Sequence, residues 1–184
     1  MIGKTKVIHP KKWLISGPPG SGKSSLLYAL KGDGFTVFDE IGRDIIQEEV
    51  SKNSEVLPWK NLKAFSLKVL SRRILDQSTH AAEHQFYDRG IPDLAAYFLV
   101  KGQPIPAEIH DAALKHRYET QVFGCTPWKE IYTQDAERKE SFEEAQKLYA
   151  ALKTVCFRYG YKWLDIPKGS LEDRKTFILD HIQA

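Results

Sequence analysis

Short apolar stretches alternate along the chain with longer segments in which apolar residues recur at helical spacing. Five of the short stretches have the length and the β-branched and aromatic content of buried strands, at residues 13–15, 35–38, 85–87, 121–125 and 161–166. Helices are predicted between them, at residues 25–30, from residue 41, and at 59–82, 93–100 and 107–116. Two more are predicted after Ser141, where Ser-Phe-Glu-Glu has the form of a capping box, and after Ser170.

Strands that alternate with helices predict a three-layer α/β fold, with a parallel sheet and helices on both of its faces. Right-handed crossovers bring the carboxyl ends of parallel strands to one edge, where such sheets bind ligands. The chain of 184 residues contains no internal repeat, low-complexity tract or linker, so we expect a single domain over residues 1–184. The residues that follow each strand are therefore the first candidates for chemistry.

Composition argues against several classes of function. Apolar residues make up 42% and charged residues 28% of the chain, as in ordinary soluble proteins, and the net charge of +3 is too small to indicate a nucleic-acid partner. No apolar run approaches the ~20 residues of a membrane span, and the basic residues 1–12 lack the hydrophobic core of a signal peptide. Cys125 and Cys156 suggest neither a disulfide framework nor a zinc site. We expect a cytoplasmic protein, of an oligomeric state that the sequence leaves open.

A glycine-rich loop between the first strand and the first helix fits the pattern G-x-x-x-x-G-K-[ST] at every fixed position. Glycines let the backbone wrap a polyphosphate with its N–H groups, and the N-terminus of the following helix also attracts anions. Lys23 is expected to reach the β- and γ-phosphates of a nucleotide, and the Ser24 hydroxyl to ligate Mg²⁺. The residues predicted to bind the nucleotide are Gly17, Pro18, Pro19, Gly20, Ser21, Gly22, Lys23, Ser24 and Ser25.

Acidic residues follow the second and the third predicted strands. Asp39 and Glu40 come directly after strand two, and Asp88 comes after strand three, so their carboxylates are expected to face the cleft that holds the phosphates. Carboxylates beside a nucleotide either hold Mg²⁺ or accept a proton from an attacking hydroxyl. Asp88 is a candidate metal ligand together with Ser24, and the pattern does not decide which of the acids is the base.

Three arginines are candidates for contact with phosphate, because a guanidinium binds phosphate oxygens in a planar, bidentate way. Arg89 follows Asp88, Arg43 lies three residues after Glu40, and Arg138 lies in a charged run ahead of the helix that begins after Ser141. This run lies within residues 129–141, the position at which small kinases have a mobile lid.

Each of these residues also has a purely structural interpretation. Asp39, Glu40 or Asp88 could cap the helix that follows it, and Arg43 could be a solvated residue of its own helix. A charged run such as residues 135–140 is most often a solvated face. Trp128 could lie over a nucleotide base or in the core, and the sequence does not separate the two.

Four sequence blocks together resemble one family. They are residues 17–25, the Glu40-x-x-Arg43 pair, residues 86–93 (Phe-Tyr-Asp-Arg-Gly-Ile-Pro-Asp) and residues 131–138 (Ile-Tyr-Thr-Gln-Asp-Ala-Glu-Arg). The family is that of small AAA-labelled P-loop proteins similar to the ribosylnicotinamide kinase domain of the bacterial nicotinamide-nucleotide regulators, which belong with the nucleoside and nucleotide kinases. The resemblance runs from Trp13 through the last helix. It implies a P-loop NTPase fold with a five-stranded parallel sheet in the order 2-3-1-4-5.

The resemblance also implies roles for individual residues. The implied nucleotide is ATP, whose phosphates and Mg²⁺ are served by Lys23 and Ser24. Glu40 or Asp39 resembles the base that contacts the acceptor hydroxyl in nucleoside kinases. The residues expected to take part in catalysis are Lys23, Glu40, Asp88, Arg89 and Arg138. Those expected to contact the acceptor are Asp39, Glu40, Arg43, Asp88 and Arg89.

The family pattern explains two of these assignments further. The pair Asp88-Arg89 resembles the acidic-Arg motif after strand three of thymidylate and deoxynucleoside kinases, and Arg138 is similar to a lid arginine. The chain departs from the pattern in strand three, where His84 and Gln85 stand in place of the usual aliphatic residues.

The expected function is that of a kinase, which transfers the γ-phosphoryl group of ATP to a small, nucleoside-like acceptor while a closing lid excludes water. The alternative is an ATPase that acts as a nucleotide-dependent regulatory or binding module without a small-molecule acceptor. A nucleic-acid motor is disfavoured by the near-neutral charge. The acceptor itself is not indicated by the sequence, because the loops that line such pockets vary freely on one fold.

Overall fold

The structure is a computed structural model that describes residues 10–79, 82–132 and 141–183. It contains five strands, which are β1 (Lys11–Ser16), β2 (Thr36–Phe38), β3 (His84–Asp88), β4 (Gln121–Cys125) and β5 (Lys162–Ile166). The seven α-helices of the described residues are α1 (Lys23–Gly32), α2 (Ile41–Ser51), α3 (Leu62–Gln77), α4 (Ile91–Val100), α5 (Ala107–Lys115), α6 (Phe142–Arg158) and α7 (Leu171–Gln183). A short 3-10 helix, Lys129–Ile131, follows β4.

All five strands are parallel and lie in the order β2-β3-β1-β4-β5. Ile15 of β1 lies beside Asp88 of β3, and Ser16 lies beside Gly124 of β4. The ends of three strands therefore meet at one edge of the sheet, where the glycine-rich loop begins. The predicted α/β fold and its strand order are both confirmed.

Helices cover both faces of the sheet. Successive residues of a strand point to opposite faces, so two neighbours in β1 show what packs on each face. Leu14 of β1 belongs to a cluster with residues of α2, α3, α4, α5 and α6, whereas its neighbour Ile15 packs with residues of α1 and α7. Both leucine and isoleucine are fully buried. This arrangement confirms the predicted three layers. None of the helices in the described part of the chain is long and apolar enough to cross a membrane.

Three helices begin at residues other than those predicted. Helix α4 begins at Ile91 and not at residue 93. The helix predicted over residues 59–82 is α3, which begins only after Asn61, because the side chain of Asn61 accepts a hydrogen bond from the amide of Ala64 (3.0 Å). Trp59 stays outside the helix and is 64% exposed. Helix α1 begins at Lys23 and not at residue 25, so the glycine-rich loop passes directly into the first helical turn.

The polar residues in β3 satisfy each other and their neighbours. The indole of Trp13 donates a hydrogen bond to His84 Nδ1 (3.0 Å), and the side-chain Nε2 of Gln85 donates to the backbone carbonyl of Thr79 (3.0 Å). The hydroxyl of Tyr87 donates to Gln85 Oε1 (2.9 Å). The strand can therefore stay buried without the aliphatic residues that the family pattern leads one to expect.

The region predicted as a lid, residues 129–141, lies mostly outside the described residues. Its first turn is the helix Lys129–Ile131, and its last residue, Ser141, caps α6 in the predicted capping box. The hydroxyl of Ser141 accepts from the amide of Glu144 (3.2 Å), and the carboxylate of Glu144 accepts from the amide of Ser141 (2.6 Å). Arg138 lies outside the described residues, so its role stays a prediction.

Candidate active site

The glycine-rich loop forms one wall of an open cavity of about 320 Å³, which its residues line from Pro18 onwards. The backbone is left-handed at Gly20 (φ +74°) and at Gly22 (φ +72°), a conformation that favours glycine. A Cβ on Gly17 would lie 2.6 Å from the carbonyl oxygen of Cys125, so glycine is also required there for close packing on β4. The cavity is lined by Pro18, Pro19, Gly20, Ser21, Gly22, Lys23, Ser24, Ser25, Glu40, Arg43, Arg89 and Ile131.

Backbone amides are concentrated on this wall of the cavity. Helix α1 begins at Lys23 with Gly22 as its N-cap residue, and the amides of a first helical turn have no partner within their helix. The hydroxyl of Ser21 donates to the carbonyl of Pro18 (2.8 Å) and closes the loop. Such a loop, followed directly by a helix N-terminus, favours an anion in the cavity.

Lys23 joins the loop to the acids of the neighbouring strands. Its Nζ lies 2.6 Å from Asp88 Oδ1 and 3.9 Å from Glu40 Oε2. Lys23 and Asp88 are both buried. The contact with Asp88 is an ion pair without hydrogen-bond geometry, and within the described residues Asp88 Oδ1 has no hydrogen-bond partner. Of the three carboxylates predicted to share a cleft with Lys23, Asp88 is therefore in direct contact with it and Glu40 lies close by.

Glu40 is surrounded by positive charge. Its Oε1 accepts a hydrogen bond from Arg89 Nε (3.1 Å), and its Oε2 lies 3.7 Å from Arg43 Nε. Burial by itself raises the pKa of Glu40, but the charges of Arg89, Lys23 and Arg43 outweigh it and hold the pKa at about 2. Glu40 is the N-cap residue of α2 by position, yet in the described structure its side chain makes no capping hydrogen bond. The carboxylate is thus directed at the cleft, and the capping interpretation fails.

Arg89 is held in an unusual conformation at the end of β3. Its φ of +61° lies in the left-handed region, which is uncommon outside glycine and is found at functional sites. The side chain is 8% exposed and lies over the ring of Tyr97, with Cζ 5.8 Å from the centroid. Its Nη1 is buried and has no hydrogen-bond partner among the residues described. An unpaired buried donor is costly, so this nitrogen is suited to an anionic or carbonyl ligand.

The helix that follows Arg89 is capped by a residue that the sequence did not single out. Asp93 accepts a hydrogen bond from the amide of Gly90 (2.8 Å) and another from the hydroxyl of Ser16 (2.5 Å). The N-cap residue of α4 is Gly90, so Asp88 is not its cap. Burial raises the pKa of Asp93. Through this carboxylate, the residue that precedes the glycine-rich loop is fixed to the start of α4.

Two buried arginines support the site from outside the cavity, and sequence reasoning missed both. Arg73 of α3 donates from Nη2 to the carbonyl of Asp88 (2.7 Å) and to the carbonyl of Asp39 (3.1 Å), and so joins the ends of β3 and β2. Arg174 of α7 contacts the glycine-rich loop from behind. Neither arginine belongs to a motif, so the sequence offered no signal that distinguishes it from an ordinary helical arginine.

Two of the predicted residues lie apart from this cluster. Asp39 is 75% exposed at its side chain, pairs with Lys31 at 3.5 Å and is not among the residues that line the cavity. Trp128 is half-buried and lies beside Arg174, whose Cζ is 5.8 Å from the ring. Arg43 lines the cavity and is paired with Glu40, so it is more than a solvated residue of α2.

The residues at the cavity fit the predicted Mg²⁺. Within the described ranges, no three His, Cys, Asp or Glu side chains are grouped closely enough to hold a metal ion by themselves. Mg²⁺ in nucleotide sites usually takes one or two protein ligands, with the remainder supplied by phosphates and water. Ser24, which lines the cavity, and Asp88 Oδ1, which has no hydrogen-bond partner among the described residues, would supply such a pair once Lys23 no longer pairs with Asp88.

Comparison with known proteins agrees with this geometry. Residues 12–174 match a protein family described as AAA domain. A search of curated proteins returns no match. Among solved structures, NadR in complex with NR is 15% identical with a TM-score of 0.71, and the match covers 95% of this chain and 51% of that one.

Two kinases of similar size also share the fold. Deoxyadenosine kinase from M. mycoides, solved with the products dCMP and dCDP, is 14% identical with a TM-score of 0.62, and the match covers 94% of this chain and 98% of that chain. Thymidylate kinase from Candida albicans is 16% identical with a TM-score of 0.59, and the match covers 95% of this chain and 91% of that chain. At these identities the comparisons establish the fold of nucleoside and nucleotide kinases.

Proposed function

Since this chain belongs to the AAA domain family, in a fold that it shares with nucleoside and nucleotide kinases, we propose that it transfers the γ-phosphoryl group of ATP to a small, nucleoside-like acceptor. One observation carries the proposal: Lys23 of the phosphate-binding loop, the acids Asp88 and Glu40, and Arg89 form one continuous charged cluster at the same cavity. A site that only stored a nucleotide would need the loop but not the buried acids and the strained arginine.

The donor side of the reaction is assigned to the glycine-rich loop. Its amides bind the phosphates, and Lys23 leaves Asp88 to contact the β- and γ-phosphates. Ser24 and Asp88 would hold Mg²⁺, which neutralises charge on the transferred group. Exchange of Asp88 for phosphate as the partner of Lys23 leaves the carboxylate available for this role, so nucleotide binding itself prepares the metal site.

The acceptor side is assigned to Glu40, Arg89 and Arg43. Glu40 would accept the proton of the attacking hydroxyl, and the free Nη1 of Arg89 would hold the acceptor or the phosphoryl group in transfer. A carboxylate with a pKa of about 2 is a weak base. When Lys23 moves towards the phosphates, one of the three positive charges around Glu40 is removed. The pKa of Glu40 then rises, and the carboxylate becomes a stronger base. The predicted lid arginine, Arg138, would complete the positive field.

The choice of a nucleoside-like acceptor is supported by the neighbours in fold. Two of them are a deoxyadenosine kinase and a thymidylate kinase, and a third was solved in complex with NR. Their low identity leaves the acceptor of this chain to be found by experiment.

The test is an acceptor screen with ATP and Mg²⁺. ADP release is measured with and without nucleosides, nucleotides and vitamin precursors, and each stimulating compound is analysed by mass spectrometry for a phosphorylated product. We expect at least one compound to raise ADP release above the rate without acceptor, and Lys23→Met to abolish the stimulation. Slow hydrolysis that no compound stimulates would favour the alternative of a regulatory ATPase. The proposal would be contradicted if Lys23→Ala bound ATP as tightly as the parent protein and if the parent protein phosphorylated none of the compounds.

A further inference from the structure

The glycine-rich loop is supported from behind by a side chain near the end of the chain. Arg174 is 5% exposed, and its Nη2 donates to the carbonyl of Ser21 (3.1 Å) while its Nη1 donates to the carbonyl of Gly22 (3.3 Å). Nη2 also donates to Cys125 Sγ (3.3 Å). One guanidinium thus joins α7 and β4 to two successive peptide groups of the loop.

The direction of those peptide groups decides how the loop binds an anion. A trans peptide is planar, and its carbonyl and its N–H point in opposite directions. The carbonyl of Ser21 belongs to the same peptide as the N–H of Gly22, and the carbonyl of Gly22 to the same peptide as the N–H of Lys23. A donor that holds both carbonyls on the outer side of the loop therefore turns both N–H groups towards the cavity.

The loop would not hold this orientation as firmly by itself. Gly22 has a left-handed φ of +72°, and glycine crosses between backbone regions with little steric penalty. Among the described residues, the Gly22 carbonyl accepts one other hydrogen bond, from the amide of Leu26 at 3.4 Å. The Arg174 fork is also closely fitted, because a Cβ on Gly22 would lie 2.6 Å from Nη1.

We propose that Arg174 is a positioning residue for the triphosphate, which acts by holding the Gly22 and Lys23 amides in their anion-binding orientation. The inference rests on the proposed function, since it assigns a role in binding the nucleotide of that function. It requires a planar fork that reaches two carbonyls, so lysine is expected to replace arginine only in part.

The test compares variants of one helix. Arg174→Met removes the fork. Lys175→Met is the matched control, because it removes the same charge from the adjacent position and, among the described residues, breaks only the ion pairs of Lys175 with Asp33 and Glu172. Isothermal titration measures the Kd of Mg²⁺ with a non-hydrolysable ATP analogue, and of inorganic tripolyphosphate. We expect Arg174→Met to weaken both by about 10- to 100-fold, as for lost hydrogen bonds to a charged group, Arg174→Lys by less, and Lys175→Met by less than about twofold.

Two measurements separate positioning from folding. The melting temperature of each variant is recorded, and titrations are repeated at a low temperature at which every variant is folded. A loss of affinity that persists there, with partial recovery in Arg174→Lys, supports the inference. If Arg174→Met does not fold, Arg174→Lys alone decides, and an affinity equal to that of the parent protein overturns the proposal. Equal affinity of a folded Arg174→Met overturns it while leaving the proposed function intact. Failure of the parent protein to bind either ligand overturns both.

Discussion

Lys23 has two competing sets of partners. In the structure it is paired with Asp88 at 2.6 Å and lies 3.9 Å from Glu40, whereas the proposed function requires it at the phosphates of the nucleotide. All three side chains are wholly or largely buried, so each charge depends on the others for compensation. The lysine that is proposed to bind the phosphates therefore also stabilises the protein without ligand.

This dual role predicts separable effects of Lys23→Met. The variant should bind the ATP analogue at least about tenfold more weakly, and it should lower the free energy of unfolding by about 3–5 kcal/mol because Asp88 keeps a buried charge without compensation. The double variant Lys23→Met, Asp88→Asn should regain most of the stability and none of the affinity. Urea unfolding and titration measure the two quantities.

The control for this prediction is Lys31→Met in the same helix. Lys31 is exposed and pairs only with the exposed Asp39 in the ion pairs of the described residues, so its removal should change stability by less than about 1 kcal/mol. A double variant as unstable as the single one would show that Asp88 is not the source of the loss.

The environment of Glu40 predicts a dependence on pH. Its pKa falls from the ordinary 4.5 to about 2 on folding, so it stabilises the folded state above pH 4.5, and this contribution is lost as the pH falls towards 2. Glu40→Gln should lower the free energy of unfolding by about 1–3 kcal/mol at pH 7, and the difference from the parent protein should shrink between pH 4.5 and pH 2.

Urea unfolding at several pH values measures this difference. Glu55→Gln is the control, since Glu55 also accepts a hydrogen bond from a cationic side chain, that of Lys60, but its own side chain is 80% exposed. It should leave stability nearly unchanged at pH 7. A difference between Glu40→Gln and the parent protein that is constant with pH would contradict the account of Glu40.

Residues that act at the cavity were easier to predict than residues that support it. Lys23, Glu40 and Asp88 stand at fixed places in motifs, although the same reasoning also selected Asp39, which lies apart from them. Arg73 and Arg174 act through backbone carbonyls that are far away in sequence, such as that of Ser21, 153 positions from Arg174. No local pattern encodes that contact, because any helical arginine has the same local sequence preferences.

At the scale of elements, the ends of helices depended on individual side chains more than on periodicity. The apolar spacing predicted α3, but the capping side chain of Asn61 set its start. The predicted caps at Ser141 and Ser170 are both present, since each hydroxyl accepts the amide three residues later (3.2 and 3.1 Å). The caps at Ser141 and Ser170 were predicted because each begins a recognisable sequence motif. The cap at Asn61 was not predicted, because the apolar spacing of α3 continues past it towards Trp59.

The junction between β1 and α4 gives a prediction at this scale. Ser16 ends β1 directly before the glycine-rich loop, and its hydroxyl donates to the Asp93 carboxylate that caps α4. Ser16→Ala should lower the free energy of unfolding by about 1 kcal/mol, and Asp93→Ala by about 2–3 kcal/mol because the Gly90 amide also loses its acceptor. The two losses should not add, with a coupling of about 0.5–1.5 kcal/mol.

Urea unfolding of the single and double variants measures the coupling. Ser71→Ala is the control for a serine, because among the described residues the exposed hydroxyl of Ser71 donates only to the carbonyl of Leu67, within α3. Strictly additive losses for Ser16→Ala and Asp93→Ala would show that the two side chains do not hold the strand and the helix together.

At the scale of the whole molecule, alternation of strands and helices predicts parallel strands but not their order. Many orders of five strands satisfy the same pattern, and only the resemblance to a family selected 2-3-1-4-5. The order matters for chemistry because it places β1 between β3 and β4, so that the glycine-rich loop emerges beside Asp88. The sequence pattern therefore predicts which segments form strands and helices, whereas long-range packing determines which strands lie side by side.

Lys23 contacts both Asp88 on the ATP side and Glu40 on the acceptor side of the cavity. This arrangement predicts that ATP and the phosphoryl acceptor stabilise the folded molecule cooperatively. A ligand at 100 times its Kd adds about 2.7 kcal/mol of stability, which for a chain of this length raises the melting temperature by roughly 5–10 °C. A non-hydrolysable ATP analogue with Mg²⁺ should produce such a shift. A true acceptor should add a further shift only when the analogue is present, because Lys23 otherwise stays paired with Asp88 and 3.9 Å from Glu40 at the acceptor side. Lys23→Met should lose the first shift, and a compound that stabilises equally with and without the analogue would not be the acceptor that this coupling requires.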